Sequence, residues 1–155
     1  DRERRNSSSD PPTTINPHRR GVYTGSSSRD PDRRRTGKQR GLMQYSLKQE
    51  DGVKVVRLEG PTDVSQALEL RDLLGQQIDG PSARVLVDLS DVTLVDSSGI
   101  GVFVSAHRRA AQAGAKFALA GAVAGVGRVF ELTRTNRLLV IFSSVDEGLE
   151  ALRAP

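Results

Sequence analysis

From Tyr45 onward the apolar residues fall into short runs whose period switches repeatedly between two and about 3.6. Tyr45 and Leu47 alternate with polar neighbours, Asp51-Gly52 supplies a turn, and Val53, Val55 (with Val56) and Leu58 alternate again. This predicts a β-hairpin ended by Gly60-Pro61. Asp63, followed three residues later by Gln66, has the form of a capping box with Asp as the cap. Ala67, Leu70, Leu74 and Ile78 then repeat at helical spacing until Gly80-Pro81. Val85-Leu86-Val87 suits a strand buried on both faces, and a polar turn leads from it to Asp96-Ser97-Ser98-Gly99. Beyond that tetrapeptide Ile100, Phe103, Val104 and His107 stand at i, i+3, i+4 and i+7, so the serines fall where a helix begins.

Gly114 closes that helix, and Phe117-Ala118-Leu119-Ala120 forms another short apolar strand. Gly121 to Gly127 reads as a turn into a short helix with Val126, Val129, Phe130 and Leu132 facing inward. Leu138 to Phe142 is the last predicted strand, and Val145 to Leu152 the last helix, anchored by Leu149 and Leu152. Strands alternating with helices indicate a single α/β domain over residues 43–155, with a mixed sheet of about four or five strands and the later ones parallel.

Composition changes the picture mainly at the N-terminus. Residues 1–42 hold eleven Lys/Arg and five Asp/Glu, net +6, whereas residues 43–155 are net −2, together making the +4 of the chain. The basic charge belongs to the tail rather than to the domain. With Val22 and Tyr23 almost its only large apolar residues, the tail has too little to bury and is expected to be disordered. Its Arg runs lack the aromatic residues that stack bases, so no direct nucleic-acid binding is expected of this solvated segment. The single methionine, Met43, stands where patterned sequence begins, which leaves residues 1–42 open as an upstream extension. The chain has no cysteine and only His18 and His107 as histidines, which excludes thiolate chemistry and makes a metal site or other cofactor unexpected. No apolar run reaches membrane-spanning length and no signal-peptide core is present, so a soluble cytoplasmic protein is expected.

Catalytic arrangements fail on geometry. Ser97 and His107 lie ten helical positions apart, about 15 Å at 1.5 Å per residue, beyond any hydrogen bond. Val95 occupies the place where a nucleophile elbow needs glycine. The series Gly121, Gly125, Gly127 continues into Arg128-Val129 rather than Lys-Ser/Thr, and Phe130 stands where a dinucleotide fingerprint needs glycine. No enzyme activity is expected. What remains is a pair of hydroxyls at a helix N-terminus, where a phosphoryl group would meet free backbone N–H groups while adding about −1.5 to −2 of charge.

The segment Val87-Asp88-Leu89-Ser90-Asp91-Val92-Thr93-Leu94-Val95-Asp96-Ser97-Ser98-Gly99-Ile100-Gly101-Val102 resembles the signature of the STAS domain of bacterial anti-sigma-factor antagonists. The resemblance implies that Ser97 is the phosphorylated residue, with Ser98 beside it in a supporting or minor role. It further implies that Asp63, Asp96, Ser97, Ser98 and Gly99 line the partner-binding surface. The family's Gly-Glu-Leu-Asp before the first helix appears as Gly60-Pro61-Thr62-Asp63, so Asp63 is retained while Pro61 and Thr62 depart. The implied partners are an anti-sigma factor with serine kinase activity and a serine phosphatase, the chain itself being a monomer or weak dimer that acts in stress-responsive transcription. The alternative within the same fold is a scaffold or accessory module of a signalling or transporter complex without a phospho-switch.

Overall fold

The computed structural model describes Tyr23–Thr24 and residues 44–154. The elements are β1 (Tyr23–Thr24), β2 (Gln44–Glu50), β3 (Val53–Thr62), α1 (Ala67–Gln77), β4 (Arg84–Val95), α2 (Ser97–Ala113), β5 (Lys116–Ala120), α3 (Ala124–Leu132), β6 (Ile141–Phe142) and α4 (Val145–Arg153). They form one mixed sheet in the order β1-β2-β3-β4-β5-β6. The first two pairings are antiparallel and the last three parallel. The expected α/β architecture is present, with one strand beyond the four or five anticipated. Apart from that two-residue strand, the predicted tail lies outside the described residues.

Alternation along the strands sorts the core into two layers. Val56 and Leu58 of β3, Val85, Val87 and Leu89 of β4, and Phe117 and Leu119 of β5 point to the face covered by α1, α2 and α3. Val53, Val55, Leu86, Ala118 and Ala120 point to the other, which among the described residues is covered by α4, through Leu149 and Leu152. Each fully buried Leu or Val contributes about 1.5–3 kcal/mol by leaving water, so the central strands hold most of the stabilising area.

The hairpin forms as expected, with Asp51 and Gly52 at φ 50° and 81° in its turn. Four expectations are corrected. Gly60-Pro61 does not end β3, because the strand continues to Thr62 beside β4, with register shifts on either side of the Gly60 pairing. Such irregularities accommodate a proline that can donate no ladder hydrogen bond. The polar stretch after Val87 is likewise strand rather than turn, since β4 runs on to Val95. Leu132, expected inside, is 72% exposed at the end of α3. The last strand shrinks to Ile141–Phe142, because a 3-10 turn over Thr135–Arg137 occupies the approach to it.

Candidate functional site

Two crossovers meet where β3 and β4 end. Asp96 is the N-cap of α2, with extended backbone, and its Oδ1 accepts the Gly99 N–H at 3.0 Å. Its Oδ2 accepts the Val64 N–H at 3.1 Å, and its own N–H donates to the Thr62 carbonyl at 3.3 Å. One carboxylate therefore joins the start of α2 to the loop leaving β3. Removing it in Asp96→Ala is expected to lower stability by about 1–2 kcal/mol, the loss of a cap plus an orphaned N–H, measured by urea unfolding. Asp96→Asn, which keeps an acceptor, should lose less than half of that.

Gly99 explains why the two segments come so close. A Cβ at this position would stand 2.5 Å from the Thr62 carbonyl oxygen and 3.2 Å from Val95 Cγ1. Only glycine lets the first turn of α2 rest on the end of β3. The consequence is that Ser97 is exposed, Ser98 half-buried and Gly99 buried. The Ser97 hydroxyl makes no hydrogen bond among the described residues.

Asp63 lies one residue before Val64 on the same loop. Its carboxylate accepts the Ser65 N–H at 2.9 Å and the Ser65 hydroxyl, while its own N–H donates to Gln66 Oε1 at 3.3 Å. Half of the anticipated capping box thus forms. Asp63 does not cap α1, because a turn over residues 64–66 intervenes and Gln66 takes the N-cap position. The Ser65 hydroxyl and then its N–H hold the Asp63 carboxyl below its ordinary range. A lowered native pKa favours the folded loop above the unfolded-state value, and that preference disappears as pH falls through the native one. Ser65→Ala is expected to return Asp63 upward toward an ordinary aspartate, read by NMR titration of the carboxyl carbon.

Sequence patterning did not single out Val64 and Leu68, which are 72% and 71% exposed at the entry to α1. Leu68 falls outside the buried stripe of Leu70, Leu73 and Leu74, and a leucine off the stripe is the signal that could have found it. The site therefore combines an acidic loop, a free hydroxyl at a helix N-terminus and two bare apolar side chains.

A family model for the STAS domain matches residues 44–148, which span both ends of this arrangement. The chain belongs to the STAS domain family. An anti-sigma-B factor antagonist of Staphylococcus aureus is 30% identical over 95 residues, covering 61% of this chain and 84% of that one. A Thermotoga maritima protein named for the same role is 33% identical over 70 residues, which are 45% of this chain and 62% of its own length. The STAS fold also recurs in the anti-sigma factor antagonist SpoIIAA. Its unphosphorylated form gives a TM-score of 0.59 at 18% identity over 72% of this chain and 97% of that one. The phosphorylated form from Bacillus gives 0.53 at 17% identity over 69% and 97%.

Within this STAS domain the rival chemistries find no support. Ser97 begins α2 and His107 lies far along it, half-buried beside Ala110 and Phe117 in a different cleft. Gly121, with φ 74°, is glycine because a Cβ would meet Ser90 Oγ at 2.6 Å, a matter of strand-to-turn packing. No group of three potential metal-ligating side chains occurs among the described residues. None of their helices is long and apolar enough to cross a membrane.

Proposed function

We propose that this STAS domain is a phospho-switched anti-sigma-factor antagonist of the cytoplasm. Its unphosphorylated form binds an anti-sigma factor that is also a serine kinase, so that a sigma factor is released. Phosphorylation of Ser97 ends the association and a serine phosphatase restores it. The observation that carries this reading is the exposed Ser97 hydroxyl at the start of α2, with no hydrogen-bond partner among the described residues, beside Asp96, whose carboxylate ties it to the α1 entry where Val64 and Leu68 are exposed. A phosphoryl group there adds about two negative charges next to an existing carboxylate, and any interface covering both must desolvate them. The apolar pair supplies area for a protein partner, while Asp63 and Asp96 give that area an acidic rim. The name of the Staphylococcus relative supports the antagonist part of this reading.

The test is a calorimetric titration of the full chain with each anti-sigma-factor kinase of its source cell. One kinase is expected to bind wild type and Ser97→Ala alike and Ser97→Asp at least about tenfold more weakly, a difference of about 1.4 kcal/mol. With ATP, that kinase should add one phosphate to wild type and none to Ser97→Ala, read by intact mass. Equal capture by wild type and both variants overturns the proposal.

A further inference from the structure

Farther along the same two helices lies an open groove of about 390 Å³ between α1 and α2. Its floor is apolar, made by Leu74, Val102 and Ala106, all buried. Its walls carry Arg71 from α1 and Arg109 from α2, with Ser105 and Gln112 as further donors, and no acidic residue lines it. Neither arginine makes an ion pair among the described residues, although five such pairs are formed there by other side chains. Two guanidinium groups facing one concavity repel each other, and an anion between them relieves that repulsion.

Gly75 adds a second observation. It sits inside α1, where glycine is a poorer helix former than alanine, and it faces Arg109 across the groove. A Cβ at this position would lie 3.1 Å from Nη1 of Arg109 and 3.5 Å from its guanidinium carbon. The guanidinium thus lies close over the bare backbone of α1 on the groove side, where a methyl group at position 75 would crowd it. The planar guanidinium fork matches the paired oxygens of a phosphate or carboxylate.

We infer that this groove binds a small organic ligand carrying two oxyanion groups, one on Arg71 and one on Arg109, with its apolar part over Val102 and Ala106. The volume is that of a small-molecule site, and apolar lining with a few convergent polar groups is the usual make-up of one. Diphosphate and dicarboxylate groups share the required chemistry. The site begins at Val102, five residues beyond Ser97 on α2 and about 7.5 Å along the helix, and its Arg109 lies a further seven residues on, so the ligand does not occupy the α2 N-terminus.

The test uses the full chain and inorganic pyrophosphate at fixed ionic strength, read by titration calorimetry and by thermal shift. Saturable binding is expected, about tenfold weaker in Arg71→Gln and in Arg109→Gln and lost in the double variant. Both arginines are exposed, so unfolding should not mask the result, and circular dichroism checks it. Gly75→Ala is the sharper probe. It should weaken binding by displacing the Arg109 fork while leaving the melting temperature unchanged or raised, a combination that general destabilisation does not produce. Ser97→Ala should bind as wild type does. Inorganic phosphate, offering one oxyanion group, should bind about tenfold more weakly than pyrophosphate. Absence of saturable binding to wild type, equal binding by the double variant, or equal affinity for phosphate and pyrophosphate overturns the inference.

Discussion

Gly99→Ala is expected to lower the stability of the domain by about 2–3 kcal/mol, whereas Gly101→Ala, two positions along the same helix, should raise it by about 0.5–1 kcal/mol. The chemistry of the two substitutions is identical and the surroundings are opposite. At Gly99 the new methyl group would stand 2.5 Å from the Thr62 carbonyl oxygen and 3.0 Å from Thr62 Cγ2. The first of these is a backbone atom in a paired strand, so it cannot swing aside as a side-chain tip would. Relief requires α2 to lift from β3, which stretches both hydrogen bonds accepted by the Asp96 carboxylate. At Gly101 nothing lies within 4 Å, and alanine only removes freedom from the unfolded chain. Urea midpoints followed by circular dichroism decide the matter. Two shifts of the same sign would show that the close approach at Gly99 does not control the start of α2. Because Ser97 rides on that start, Gly99→Ala should also weaken partner capture when assayed at a temperature where the variant is still folded.

The same crowding shows which parts of the molecule were legible in sequence. The period of apolar residues located β2, β3, α1, α2, β5 and α4, since those elements bury one face and their pattern records it. The N-terminus of α2 was legible too, because Asp96 is a capping residue followed by a change of period. Segments whose partners are polar or irregular were not. Ser90, Asp91 and Thr93 read as turn residues, yet they lie in β4, whose length is set by its pairing with Glu59 to Thr62 rather than by its own propensity. Asp88 similarly satisfies the Ser90 N–H and hydroxyl from within the strand, a local bond that composition alone assigns to a turn. For the site, the motif exposed Asp96, Ser97 and Gly99, while Val64 and Leu68 became visible only as bare apolar surface. Spacing could not place Asp63 either. Its tie to the α2 cap runs through the backbone of Val64, and that contact exists only after two crossovers have folded together.

Phe103→Ala is expected to have the largest effect of any single truncation, about 3–5 kcal/mol, and Leu132→Ala almost none. Both residues occupy inward positions in the helical pattern, so sequence alone predicts comparable losses. In the folded chain Phe103 has no exposed surface and its ring lies 6.2 Å from that of Phe130, tilted by 46°, where α2 and α3 share the core above β4 and β5. Truncation removes the ring's transfer energy, its aromatic contact and the packing of Phe130, and leaves a cavity between two helices and a sheet that cannot easily collapse. Against a total stability of about 5–15 kcal/mol, such a loss populates unfolded chain at moderate temperature. Phe103→Leu, which keeps most of the volume, should cost well under half as much. Leu132 has already left the core at the last turn of α3, and its removal should change stability by no more than about 0.5 kcal/mol. A loss above about 2 kcal/mol on Leu132→Ala, in a chain shown by sedimentation to be monomeric, would mean that α3 is rotated about its axis. Val126 and Phe130 would then no longer be the residues that fasten α3 to the sheet.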